Sequence, residues 1–398
     1  SSVVKKSGNV VIPNDNTKPV TATLSPLHNA TNVAARPAIT ITFDEITNAV
    51  AGKKLRIFDL AQPALPVVIM DVNEATRTAE KSWTFTLAAD LSYLKTYFVI
   101  VDAGGFADIF GNTFLGITTN SLWRFTIQEE PDTQAPAIVI ATADLKQTKG
   151  SAKRVDITVT DNKNLPVDKT KVYYRGIAKL DTEPFNSATL SVVSGGGTIS
   201  TTYTIEAQDN WYDEMGLEFY FEAEDASGNK KRAPAAANTY LYSYVTYPSA
   251  ASPILPSSRI SLGGKANNYR MISVPFELQD NQVLTILDEL GAADTKKWRL
   301  FTYAGGDQFT ENPATFIRGK GYWINVKNSP GEIKIDGATT PANNRTAFFK
   351  MDLAAGWNQI GNPYPVEINW DEIKTGNTSI GKLKVFNGSS YTDESTLL

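Results

Sequence analysis

Oxygen donors dominate the chemistry this sequence can offer. Its 398 residues include no cysteine and one histidine, His28, in Pro26-Leu-His-Asn. That inventory excludes disulfides, thiolate metal sites, cysteine nucleophiles and every two-histidine metal centre, HExxH included. No Gly-x-Ser-x-Gly elbow occurs, and a Ser–His–Asp triad would need His28 in a cleft. Ser194-Gly-Gly-Gly197 is not a phosphate loop. The strand-like Thr198-Ile-Ser-Thr-Thr-Tyr203 follows it where a helix N-terminus would be required, so it reads as a hairpin turn. Acidic clusters remain. Asp161, Asp225 and Asn229, and nearer the start Asp102, Asp108 and Asn112, are candidate oxygen ligands for a structural Ca²⁺. That hard cation takes about six to eight oxygens. The same clusters also build turns, because Asp and Asn bond local backbone and Gly tolerates positive φ. No other cofactor is expected.

Aromatic residues are the second resource. Tyr303, Trp323 and Trp357 are candidate ligand-binding residues, since flat rings stack on the apolar faces of sugars. The competing reading puts Trp298, Trp323 and Trp357 in the core, because indoles beside apolar strands are mostly buried. Tyr303, next to Ala304-Gly-Gly-Asp307, belongs nearer the surface. With 42 acidic residues a carboxylate pair for glycoside hydrolysis is chemically available, but no local pattern points to one.

The elements that must position these groups are strands. Apolar content of 42% supports real cores, and the length suggests about three domains. A net charge of −4 offers no basic surface for nucleic acid or anionic membrane. No run approaches the roughly 18 apolar residues of a membrane span. Residues 1–19 are polar and proline-punctuated, a linker. Over 20–130, Ile39-Thr-Ile-Thr-Phe43 and Trp83-Thr-Phe85-Thr-Leu87 alternate as half-buried strands do, and Tyr97-Phe-Val-Ile-Val101 suits a strand covered on both faces. Glu129-Glu-Pro131-Asp-Thr-Gln-Ala-Pro136 breaks the pattern. A second strand-rich segment occupies 131–248, and Ser249-Ala-Ala-Ser-Pro-Ile-Leu-Pro256 reads as another linker.

The remainder, 258–398, carries one motif twice. Tyr269-Arg-Met-Ile-Ser-Val-Pro275-Phe returns as Trp357-Asn-Gln-Ile-Gly-Asn-Pro363-Tyr, and Tyr303-Ala-Gly305 returns as Phe386-Asn-Gly388. Between the halves of the first copy lies one short helix. Asp280 is its N-cap, Val283, Leu284, Leu287 and Leu290 form its apolar face, and Gly291 stops it. The first copy continues into Gly319-Lys-Gly-Tyr-Trp323 and Glu332-Ile-Lys-Ile335, whereas the second reaches Leu398 without such segments. The expectation is a truncated second copy with an unpaired sheet edge, open to self-association or to a partner strand.

Three resemblances accompany this pattern. Pro37-x-Ile-x-Ile-x-Phe43, Trp83-x-Phe85, Tyr97-x-Val99-x-Val101, Asp108-x-x-Gly111-Asn112 and Trp123-x-Phe125 resemble the bacterial Ig-like domain of S-layer and other surface proteins. Val172-Tyr-Tyr-Arg175 and the Asp225-x-x-Gly228-Asn229 turn resemble an Ig or fibronectin-type sandwich of secreted bacterial proteins. Gly356-Trp-Asn-x-Ile-Gly-Asn-Pro-Tyr-Pro365 resembles β-rich domains near the C-termini of Bacteroidetes proteins exported by type IX secretion. The fold class expected is mainly all-β: tandem Ig-like β-sandwiches followed by a β-rich domain with one short helix. The resemblances imply a non-catalytic, exported bacterial surface protein that spaces, displays or adheres, with an extracellular protein or glycan as partner. The alternative is the carbohydrate-binding accessory region of a larger secreted hydrolase.

Overall fold

The computed structural model describes residues 15–179, 182–256, 260–342 and 349–397, so most of the N-terminal linker read at 1–19 lies outside it. Strands account for 41% of the chain and helices for 7%, which makes sheet-on-sheet packing the means of burying a core. There are two compact units, Ser1–Pro131 and Asp132–Leu398.

In the N-terminal unit one sheet runs Thr21–Ser25, Ile39–Phe43, Ser82–Phe85, Thr76–Ala79, with every pair antiparallel. The other runs Ala30–Val33, Arg124–Ile127, Thr96–Val101, Lys54–Asp59, Pro66–Asp71. The leading segment therefore serves both sheets. It changes sheet at Pro26, which has no N–H to donate to a ladder. Period-2 alternation does the rest: Ile39, Ile41 and Phe43 from one sheet meet Leu55, Ile57, Val99 and Phe125 from the other. Trp123 is fully buried and donates Nε1–H to the Pro26 carbonyl at 2.7 Å. The continuous apolar run at Tyr97–Val101 is covered on its second face too, where Phe58 stacks on Phe98 with centroids 5.0 Å apart.

The C-terminal unit opens with a second sandwich. Its sheets are Ala137–Ile140, Lys153–Thr160, Ser200–Ala207, Ser191–Ser194 and Asn186–Thr189, Thr170–Gly176, Leu217–Glu224, Lys230–Ala233. The Gly195–Gly197 run is the turn of an antiparallel hairpin. Arg175 and Glu218 form an ion pair of 2.5 Å with side chains 3% and 0% exposed, and the Arg175 guanidinium lies over the Phe185 ring.

This sandwich is joined to the doubled region by a shared sheet. Gln147–Thr148, Val245–Thr246, Ala338–Thr339 and Glu277–Leu278 pair in that order, drawing strands from both. The proline-punctuated segment read as a linker is docked as well: Ile254–Leu255 pairs with Ile333–Lys334, and Leu255 is buried. Beyond it the first copy forms a sheet in the order Arg270–Ile272, Tyr322–Val326, Trp298–Gly305, Gln308–Glu311.

The first-copy helix is shorter than its pattern, with one α-turn at Val283–Ile286 and a 3-10 turn at Asp288–Leu290. Gln282 is the N-cap, while the Asp280 carboxylate accepts from the Gln282 N–H and the Thr285 hydroxyl. Val283, Ile286, Leu287 and Leu290, at i, i+3, i+4 and i+7, are buried, and Leu284 falls off that stripe and is exposed. The second copy has its own helix, Trp370–Gly376, capped by Asn369, whose side chain accepts from the Asp371 and Glu372 N–H groups.

Candidate functional site

Two acidic clusters are built on the same plan, one in each unit. In the N-terminal unit Asp108 begins the turn Asp108-Ile-Phe-Gly-Asn112, and Gly111 takes a φ of 89° that favours glycine. One Asp108 oxygen accepts from the Phe110 and Asn112 N–H groups at 2.9 and 2.8 Å, and the other from Asn112 Nδ2 at 2.8 Å. Asn112 Nδ2 also donates to the Asp15 carbonyl at 2.9 Å. The Asp15, Glu45 and Asp108 carboxylates then lie within 4.8 Å of one another.

The C-terminal unit repeats each step. Asp225 accepts from the Ser227 and Asn229 N–H groups and from Asn229 Nδ2, and Asn229 Nδ2 reaches the Asp132 carbonyl at 3.1 Å. Asp132, Asp161 and Asp225 bring carboxylate oxygens within 4.8 Å of one another. In both units the paired Asp and Asn are 97 residues apart in sequence.

The electrostatics follow from this crowding. Burial pulls the Asp108 and Asp225 carboxyls upward, but bonds from Asn112 and Asn229 and from the turn amides outweigh it and hold both below the usual range. Glu45 is pushed up, by burial first and then by the charges of Asp108, Asp15 and Asp44. One oxygen each of Asp132 and Asp161 is buried without a hydrogen-bond partner. Three converging carboxylates with spare oxygens are a donor set suited to a hard cation.

Of the sequence candidates, Asp161 and Asp225 come together. Asn229 Nδ2 braces Asp225 and ties it to the Asp132 carbonyl. Asp108 is in the other cluster with Asn112 as its brace, but Asp102 is not. It is held by Arg56 at 2.6 Å and by the Lys54 N–H at 2.9 Å. Asp15, Glu45 and Asp132 were not candidates. Asp15 sits in the stretch read as a linker and Asp132 in the break at Glu129–Pro136, and the signal for them was the equal spacing to Asn112 and Asn229.

The three aromatic candidates line one cleft. A cavity of about 1380 Å³ opens in the doubled region, and Tyr303, Trp323 and Trp357 are all in its walls, with Ile360, Leu383 and Val385. They do not form a flat platform. Trp323 packs edge-on against Phe386, with centroids 5.2 Å apart and planes at 75°. Tyr303 packs on Phe309 and donates its backbone N–H to Gln359 Oε1 at 2.9 Å. Trp298 is core, as one reading had it, but Trp357 is 70% exposed. Its counterpart Tyr269 rests on Phe301, and the second copy has Lys384 at that position; among the described residues no ring packs on Trp357. At the rim Lys382, then Lys384, hold the Asp393 carboxyl down to about 2. His28 lies exposed in a turn, away from any cleft wall described.

Among curated proteins, none matches the chain. Solved structures that it resembles include the GspB Siglec domain, at 17% identity and a TM-score of 0.21 over 33% of this chain and 65% of that one. The fibronectin(III)-like modules of Clostridium thermocellum CbhA give 12% identity and a TM-score of 0.17, over 57% of this chain and 92% of theirs. A DUF3823 family protein from Bacteroides ovatus gives 14% and 0.17, over 50% and 89%. No helix is long and apolar enough to cross a membrane among the described residues. The N-terminal sandwich, residues 15–127, matches the family of bacterial Ig-like domains.

Proposed function

We propose that this chain is a non-catalytic part of an exported bacterial surface protein, serving as a spacer, display or adhesion module toward an extracellular protein or glycan. The observation that carries the reading is the Ig-like match over residues 15–127. The second sandwich supports it, being closed over an apolar core with a buried ion pair. The resemblance of Gly356–Pro365 to C-terminal domains of type IX cargo supports export by that route. The test is topology in the producing cell. Antibody should label intact cells, and protease added outside should remove the signal. Labelling that appears only after lysis overturns the reading.

Calcium belongs to the same reading. Asp132, Asp161 and Asp225, and separately Asp15, Glu45 and Asp108, would each supply carboxylate oxygens to one Ca²⁺. Weak binding by extracellular modules, with Kd about 10⁻⁴–10⁻³ M, is the expected range. The ion would neutralise three crowded charges and tie Asp15, or Asp132, to a turn far along the sequence.

A further inference from the structure

We propose that the second sandwich binds a neutral sugar in a polar cavity beside Gly176, through Trp211, Asn186 and Asn210. The inference narrows the extracellular partner proposed above to a glycan, and rests on that reading for the class of partner alone.

The cavity, of about 340 Å³, lies where the strand Thr170–Gly176 ends. Small-molecule sites run from about 300 to 1,000 Å³, so its size suits a terminal sugar better than a long chain. Two half-buried rings stand in its wall. Tyr174 and Trp211 are stacked, with centroids 3.8 Å apart and planes at 10°. Trp211 comes from the 3-10 turn Asp209–Trp211, which also brings Asn210 to the cavity. Asn186 is the cross-strand partner of Tyr174, so the two share a face of the sheet. Both asparagines are exposed. Among the described residues, the Asn186 and Asn210 side chains and the Trp211 Nε1–H make no hydrogen bond, which leaves donors and acceptors for a ligand.

The charges around the cavity are already matched. Arg175 pairs with Glu218, their side chains 3% and 0% exposed, and its guanidinium also donates to the Glu183 carbonyl at 2.6 Å. Lys179 lies 3.7 Å from the Glu183 carboxylate. Asp213 accepts from the Ala178, Met215 and Gly216 N–H groups at 2.7, 2.9 and 3.0 Å. It comes so close because residue 176 is glycine, where a Cβ would meet Asp213 Oδ2 at 2.2 Å. A buried ion pair adds little stability over a well-packed apolar pair, so Arg175 in a cavity wall fits a part in shaping a site. With each charge engaged, an anion or a cation finds no open counter-charge among the described residues of the wall. Amide groups, an indole N–H and ring surfaces remain, and those suit the hydroxyls and C–H faces of a neutral sugar.

The test is saturation-transfer NMR on the purified full chain. The probes are galactose, N-acetylgalactosamine, N-acetylglucosamine, mannose and fucose, with sialic acid as the anionic comparison. Saturable transfer to at least one neutral sugar is expected, with a Kd in the millimolar range. Trp211→Ala should weaken it at least tenfold, and so should the Asn186→Ala, Asn210→Ala double variant. The double variant removes only exposed amides, so its melting temperature should stay at the wild-type value while binding falls. No saturable transfer to any of the neutral sugars overturns the proposal, as does a preference for sialic acid. Binding that survives the double variant, or that is lost on Trp357→Ala instead, overturns it too. Purified protein makes this result independent of the cell-labelling test: a chain that binds sugar but is absent from the cell surface refutes the surface reading and leaves this site standing.

Discussion

Asp161→Asn separates a cation site from a mere turn, because the two predict opposite signs. Asp161 has a buried oxygen without a partner, and its carboxylate sits within 4.8 Å of Asp132 and Asp225. It has no part in the Asp225–Asn229 turn, whose bonds end on Asp225. In EDTA the substitution removes one of three like charges and should leave stability unchanged or raise it by up to roughly 1 kcal/mol. With 10 mM Ca²⁺ and a Kd of about 10⁻⁴–10⁻³ M, the wild type should gain roughly 1.4–2.7 kcal/mol. At roughly 2–4 °C per kcal/mol for a unit of this size, that is about 3–11 °C in the C-terminal unit's melting temperature. The variant should lose most of that gain. Differential scanning calorimetry of both proteins in EDTA and in calcium gives the four numbers needed. The reasoning fails if wild type and variant gain equally from calcium, or if the variant is as destabilised in EDTA as in calcium.

Three further outcomes are expected. Glu218→Gln should cost up to about 3–5 kcal/mol by taking a buried carboxylate away from Arg175, whereas the Arg175→Met, Glu218→Leu double variant should cost less; urea denaturation of both checks this. The lowered Asp225 carboxyl stabilises the fold above its unfolded value near 3.8, and that contribution is lost as pH falls through the lower folded value. In EDTA, Asp225→Asn should therefore flatten the stability curve below about pH 4, as read by melting temperature against pH. Gly321→Ala places a Cβ 2.7 Å from the Ile360 carbonyl oxygen and should speed hydrogen exchange at Gln359–Gly361 while sparing Trp298–Gly305.

Much of the fold was legible because burial on one face writes itself as alternation. Ile39–Phe43 and Tyr97–Val101 read directly as strands, and the repeat in the last third predicted which strands correspond. The helix was misread at Leu284 because its apolarity matched the stripe while its angular position did not. The clusters were legible in part. Asp161 and Asp225 sit in turn signatures that sequence displays, but Asp15 and Asp132 join them only through long-range bonds from Asn112 and Asn229. Local pattern carries no trace of such closure. Of the two readings of Trp357, burial in the core is the one that does not hold: a ring's burial depends on its neighbour, and the second copy has Lys384 where the first has Phe301.

The sheet shared by Gln147–Thr148, Val245–Thr246, Ala338–Thr339 and Glu277–Leu278 bears on how this protein can be recombined. A gene fusion cut in the proline-punctuated stretch after Val245–Thr246 would sever a ladder rather than a tether. It would leave a raw strand edge on one fragment and an uncovered apolar face on the other. Shuffling that respects the fold must then move the second sandwich and the doubled region as one cassette.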